Sequence, residues 1–513
     1  MIKRVCIIVA CWVALAIIGL DQASAATATL YPSLPDPVLE AGGGGLTPEE
    51  KIATVDENFK QLFQEAYESY TKGKYQQAAA ELLQFLSARS PDDMDYEWAE
   101  FFFGISLYKQ GYSHAAVDTL TNLVTRRPNP QIVSYILELL EKISRTTPCD
   151  RDMLVHRALC DQSYDFVTGP VSDFVHYYQG EYDWEHGFYS WGDEHFAKIE
   201  PDGFYYYMYL FKRALRAVYE DRINDAVPLL KEVITKAQDG GTLKDDARKT
   251  LARLYYEKGK FSEADFLYQQ IEMNIVEQAQ NLLERAWAHY RMGNAERAMG
   301  LLYSFEAPSY THSFTPEFYI LKSFIYKDVC HYKAAMQVLD QFKSRYGGSL
   351  DNIYHRQKMQ DNQAMLLVIL NKPSVKRQWR FLNLLEREQD LLGSNPDKKL
   401  QAYLNELYAL KLQQAQAGFR LLINDEYEKM ADAMLQFEEE AHLMEYEIGI
   451  DMYQRVQDYH YSEEAQDQPK DGDDKGKAVY AFQGEFWNDE LDDYEVKLPN
   501  KCQNAEEWDI FFK

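Results

Sequence analysis

The sequence predicts an all-α protein: an α-solenoid of stacked helix hairpins followed by a long helical hairpin of coiled-coil type. Three observations carry this. Strand signals are nearly absent from the 513 residues. Six segments repeat one pattern of small, large, glycine and alanine positions. Residues 400–448 then carry apolar side chains at alternating three- and four-residue spacing.

The N-terminus reads as an export signal, residues 1–25. Lys3 and Arg4 precede the apolar run 5–20, and Ala23-Ser24-Ala25 offers a cleavage site after Ala25. The run is shorter than the ~20 residues that span a bilayer, so no stable membrane segment is expected after processing. Cleavage removes two positive charges and one negative, taking the net charge from −27 to −28. Residues 26–52, with Pro32, Pro35, Pro37 and Gly42–Gly45, form a flexible leader.

The repeats begin with Ala66, Tyr70, Gly73, Tyr75, Ala78, Leu82 and Phe85. The small residue lets helix A approach its neighbour. Glycine ends helix A in a left-handed conformation, and alanine opens helix B at the crossing. One pair cannot bury its own apolar face, so pairs stack. Regular repeats fall near 59–92, 97–130, 207–240, 245–278, 279–312 and 316–349, with degenerate ones over about 131–206, giving a solenoid over 53–346. The pattern resembles the tetratricopeptide repeat (TPR). That resemblance implies a non-catalytic scaffold that presents a concave surface to partner proteins.

Residues 164–211 hold 17 aromatics, read first as core for an irregularly spaced stretch and second as a contact surface. His186 and His195 stand there beside Glu185, Asp193 and Glu194, at spacings that fit no compact ligand motif, so no metal is expected.

Residues 347–395 read as a further helix pair broken at Asn371-Lys372-Pro373. Two stripes follow: Leu400, Tyr403, Leu407, Leu410, Gln414, Ala417, Leu421, then Tyr427, Met430, Met434, Phe437, Ala441, Met444, Ile448. A continuous seam would reach 428 rather than 427. Asn424-Asp425 therefore reads as the turn of an antiparallel hairpin over 396–460, each arm ~33 Å long. An acidic linker (461–478) and an aromatic acidic tail (479–513) complete the chain.

Export favours paired cysteines. Cys149, Cys160, Cys330 and Cys502 allow three pairings. The expected one joins Cys149 to Cys160 around a short loop, a bridge of ~3 kcal/mol in the chain-entropy model, and leaves Cys330 with Cys502. Cys330 occupies the turn position where glycine is usual, at a cost of up to ~1 kcal/mol. A bridge to the tail would offset that cost by fixing the tail on the last repeat. In that arrangement Phe482, Phe486 and Trp487 pack on the array.

The tail FQGEFWNDELDDYEVKLPNKC (Phe482–Cys502), with the long helical segment, resembles exported TPR proteins of the Gram-negative envelope, including the adventurous-gliding type. This resemblance implies a periplasmic scaffold with envelope proteins as partners, and it leaves open association with the outer membrane and a motility-related role. The alternative is a module that binds peptidoglycan or polysaccharide through exposed aromatics.

The acid excess, 81 against 54, argues against nucleic acid. The sequence has no phosphate loop, nucleophile elbow or zinc-protease motif, so no enzyme activity and no cofactor are expected. The partner groove is assigned to helix A positions: Phe101, Ile105, Tyr108, Lys109, Lys249, Arg253, Tyr256, Leu283, Trp287, Tyr290 and Arg291. The three cations Lys249, Arg253 and Arg291 are candidate contacts for an acidic partner segment; the alternative is that they pair with neighbouring acids. On this reading Arg253 and Arg291 are replaceable without loss of fold.

Overall fold

The computed structural model describes residues 57–90, 96–160, 162–237, 242–271, 275–310, 313–461 and 493–503. The export signal, the leader, residues 462–478 of the linker and the aromatics Phe482, Phe486 and Trp487 lie outside the described residues.

A single turn geometry recurs along the chain. Gly73, Gly111, Gly187, Asp221, Gly259, Gly293 and Cys330 all have positive φ, between 58° and 91°. Each closes a pair of helices. The pairs are Glu57–Thr71 with Tyr75–Ala88, Tyr96–Lys109 with Ser113–Thr125, Pro170–Glu185 with Tyr189–Phe196, and Phe204–Tyr219 with Ile223–Lys236. Leu243–Glu257 with Phe261–Gln269, Ile275–Arg291 with Ala295–Tyr303, and Pro316–Asp328 with Tyr332–Tyr354 follow. At Gly73 the turn N–H donates to the Tyr70 carbonyl and the Lys74 N–H to that of Ser69. The same pair of bonds recurs at each of the other six turns, satisfying carbonyls that the end of helix A would leave open.

Five residues past each turn stands Ala78, Ala116, Gly192, Ala226, Ala264, Ala298 or Ala335. The six alanines are fully buried and Gly192 is buried. The opposing small position on helix A is as tight. A Cβ on Gly104 would lie 2.6 Å from Leu120, and one on Gly180 would lie 2.9 Å from Phe196. Thus 170–196 is a complete hairpin whose two crossing positions have both become glycine. Between the second and third hairpins the chain forms Pro130–Thr146, begun by the Asn129 side chain accepting from the Gln131 N–H, and the π-helix Met153–Leu159.

The described residues divide into two compact units, 57–247 with 373–421, and 248–372 with 422–461 and 493–503. Among them no helix is long and apolar enough to cross a membrane.

In the first unit Pro373–Leu392 is anchored by Glu388. This buried carboxyl accepts from the Ser113 N–H (2.8 Å), the His114 N–H (3.0 Å) and the Tyr408 hydroxyl (2.5 Å). It caps the helix that starts at Ser113, a helix with no side-chain cap of its own. Burial pushes Glu388 from 4.5 up to about 7, against the lowering pull of these donors. Burial, reinforced by Lys411, takes His114 from 6.5 down to about 4. Glu388 therefore stabilises fully below pH 4.5, and its share, on the order of 3 kcal/mol, is lost as pH rises through 7. The share of His114 is present above pH 6.5 and lost as pH falls through 4. We expect urea midpoints to fall between pH 6.5, where the His114 gain is complete, and about 7, and Glu388→Gln to lessen that fall. A flat profile from pH 5.5 to 8.5 would contradict the assignment.

Two expectations are corrected. Residues Lys398–Tyr461 form one uninterrupted helix, not a hairpin, and Asn424-Asp425 lies inside it. The second stripe is buried from Met430 to Ile448, but of the first only Leu400 is. Leu410 and Leu421 are 60% and 70% exposed, while Leu400, Leu404, Tyr408, Leu412 and Ala415 are buried. The buried set steps by fours because it must bring Tyr408 to Glu388. Counted from Ala415 by threes and fours, it reaches Ile423 and Met430 without a slip. The apparent phase break came from counting the wrong residues.

Secondly, Cys149 and Cys160 are not bridged to each other.

In the second unit Cys330 is joined to Cys502. Residues 493–503 lie across the Gly293 and Cys330 hairpins as an extended strap. The Val496 N–H donates to the Glu296 carbonyl (3.2 Å) and the Lys501 N–H to that of Val329 (3.1 Å). Arg297 donates to the Tyr494 carbonyl (3.1 Å), and His331 meets the Pro499 carbonyl (2.8 Å). Tyr494, Val496 and Leu498 join the apolar cluster of Met299, Leu302 and Leu321. On the far side of the Cys330 hairpin, Met434, Phe437, Ala441, Met444 and Ile448 pack on Leu339, Phe342 and Leu350. Both apolar faces of the last repeat are thereby covered.

Gly300 sets how closely the strap approaches. A Cβ there would run into the Tyr494 carbonyl, which is backbone rather than the end of a flexible side chain. Gly300→Ala should lift the strap near Tyr494 while the disulfide persists. Limited proteolysis should then cut near 493–498, where the wild type resists. Equal resistance would contradict the contact.

Candidate functional site: the A-helix wall of the second unit

Of the groove residues in the first unit, Phe101, Ile105 and Tyr108 are buried. Phe101 packs on Trp98, Phe102 and Tyr135, so it belongs to the core between helices rather than to a surface. Lys109 is half-buried, its ammonium 5.8 Å from the Tyr75 ring. In the second unit Leu283 is likewise buried. The corresponding faces of two successive A helices, Leu243–Glu257 and Ile275–Arg291, keep Lys249, Arg253, Tyr256, Trp287 and Tyr290 partly exposed and Arg291 exposed.

These side chains are linked from one repeat to the next. Arg253 forks onto Glu284, 3.0 Å from Nε to Oε2 and 2.5 Å from Nη2 to Oε1. Trp287 Nε1 donates to Glu317 (2.8 Å), and the Tyr290 hydroxyl donates to Asp328 (2.5 Å). Arg291 lies over the Phe261 ring at 5.2 Å. Burial would raise Glu284, but the Arg253 guanidinium holds it down at about 2. Glu317 has no such cation bound to it, and burial lifts it to about 7, with Glu284 and Glu440 adding repulsion.

The wall therefore carries three cations and three carboxylates, and Arg253 follows the pairing with a neighbouring acid that the sequence offered beside the contact reading. Arg253 is committed to Glu284 and is a structural residue. Sequence reasoning missed Glu284, Glu317 and Asp328. A signal was present: the partners stand 31, 30 and 38 residues apart, close to one repeat period. Aligned A positions in adjacent repeats meet side by side, so complementary residues one period apart are candidate pairs. Among the described residues no cluster of His, Cys, Asp and Glu is arranged to hold a metal.

No family model matches the sequence, and neither does any curated protein. Two solved structures are similar at low level. One is a tetratricopeptide repeat protein from Parabacteroides merdae ATCC 43184, 15% identical, with a TM-score of 0.21, covering 56% of this chain and 93% of that one. The other is a Rap protein complexed with competence and sporulation factor, 15% identical, with a TM-score of 0.26, covering 72% of this chain and 100% of that one. The helix-hairpin repeat stands on the seven turns and their buried small residues.

Proposed function

We propose that this protein is a non-catalytic scaffold that binds other proteins through the A-helix wall of its second unit, in the periplasm of an envelope assembly. The observation that carries the reading is the wall itself. Trp287, Tyr290 and Tyr256 present amphipathic rings held at fixed angles by Glu317, Asp328 and Phe261. Rigid aromatic and arginine side chains concentrate contact energy at protein interfaces, since little rotamer entropy is lost on binding. Lys249 and Arg291 flank the rings with positive charge. The Cys330–Cys502 bridge agrees with an oxidising compartment, and the gliding-type tail adds a motility-related assembly as the specific setting.

The test is affinity capture from crosslinked envelopes with wild type and with Arg291→Glu, which leaves the Arg253–Glu284 pair intact. Proteins recovered with wild type should be depleted at least about tenfold with the variant, at an unchanged melting temperature. Equal recovery would remove the wall from the interface. Recovery of glycan instead of protein would favour the polymer-binding alternative.

A further inference from the structure

The aromatic stretch of the first unit has two destinations. Tyr164, Phe174, Tyr177, Tyr178, Phe196, Tyr205, Tyr207 and Phe211 are core. Phe188, Tyr189 and Trp191, at the turn of the Gly187 hairpin, are 49%, 50% and 58% exposed. Phe188 and Trp191 stack on each other with centroids 5.1 Å apart and planes 24° apart. Adjacent Tyr189 holds Arg216, whose guanidinium carbon lies 4.0 Å from its ring centroid and 4.7 Å from that of Trp184.

Three exposed large rings within four residues are a surface the fold does not need. The core position of that turn is already filled by Gly192 and Phe196. The chemistry around them is acidic. On a helix beginning at Tyr189, Asp193 is the i+4 neighbour of Tyr189 and Glu194 the i+3 neighbour of Trp191. Both acids are exposed, and Asp193 accepts from Trp184 Nε1 (3.1 Å). Ring faces with carboxylates at their rim attract cations twice, through the ring quadrupole and through charge. Arg216 shows on the spot that this cluster accepts a guanidinium.

We propose that Phe188, Tyr189 and Trp191 form a second protein-docking surface, and that its occupant is an arginine- or lysine-rich segment of a partner protein. The guanidinium or ammonium stacks on the outer face of the Phe188–Trp191 pair, and Glu194 and Asp193 neutralise its charge. The surface lies in the first unit and involves none of the wall residues. It extends the scaffold reading without depending on which partner the wall holds.

Isothermal titration of the full chain with hexa-arginine, hexa-glutamate and an N-acetylglucosamine hexamer tests this at moderate salt. Hexa-arginine should bind, hexa-glutamate should not, and Phe188→Ala/Trp191→Ala should weaken hexa-arginine about tenfold. Trp191→Phe, which keeps a ring face, should restore most of the affinity in an otherwise wild-type chain. Circular dichroism should show both variants as helical as the wild type. Equal hexa-arginine affinity in wild type and double variant would reduce the effect to attraction by net charge and overturn the proposal. So would loss of sugar binding in the double variant with hexa-arginine unaffected, which would assign the rings to a glycan. Failure here leaves the wall experiment untouched, and failure there leaves this one untouched.

Discussion

Replacing both bridged cysteines, as Cys330→Ser/Cys502→Ser, should cost the second unit about 5 kcal/mol. The bridge closes a loop of 172 residues, and the chain-entropy model assigns that closure about 5 kcal/mol at 25 °C. The loss has two parts that a second variant separates. Residue 330 holds φ of 59°, a conformation that costs a residue with a Cβ about 1 kcal/mol relative to glycine. Cys330→Gly/Cys502→Ser should therefore recover about 1 kcal/mol over the serine pair. Without the bridge, the strap retains its backbone bonds to Glu296 and Val329 and the packing of Leu498. Urea unfolding under non-reducing conditions reads both differences. Identical midpoints for wild type and the serine pair would show that the bridge adds nothing to stability. A glycine pair no better than serine would show that the turn carries no strain.

Arg253→Ala should destabilise the same unit by roughly 3–5 kcal/mol, the cost of leaving a buried carboxylate without its partner. Arg253 and Glu284 are each only 14% exposed in their side chains. The fork satisfies both oxygens of Glu284. The depressed Glu284 stabilises above pH 4.5, and its share fades as pH falls through about 2. Arg253→Lys should cost less than alanine but more than nothing, because an ammonium cannot reproduce the two-point fork. Arg253→Ala/Glu284→Ala should be milder than Arg253→Ala alone, since no orphaned charge remains. A double variant as damaged as the sum of the two single ones would contradict a coupled pair.

How much of this was legible from sequence depended on how local its cause was. Turn residues, crossing alanines and the cysteine at 330 are dictated by backbone conformation within a few residues, so their pattern stands out. The same rule left the Gly187 hairpin legible only as a degenerate repeat within 131–206. Its small positions, Gly180 and Gly192, are both glycine where alanine was sought on helix B. Asp221 supplied the Phe204–Tyr219 turn without a glycine. The seam of Lys398–Tyr461 failed for a different reason. Tyr403, Leu407 and Leu410 offer a regular heptad, and only the buried Glu388 reveals that Tyr408 must face inward. Phe101 failed likewise, because Tyr135 of helix Pro130–Thr146 packs on its ring. Cation–carboxylate pairing between repeats was legible only by comparing positions one period apart.

The central claim, that the A-helix wall is where partners bind, is tested most directly by photo-crosslinking. p-Benzoylphenylalanine in place of Arg291 samples the wall, and in place of Leu367, which is 55% exposed on helix Gln363–Asn371, samples another surface of the same unit. Irradiation of intact envelopes should give discrete protein adducts at position 291 and none at 367. Adducts at 367 alone, or only glycan-sized additions at 291, would contradict it.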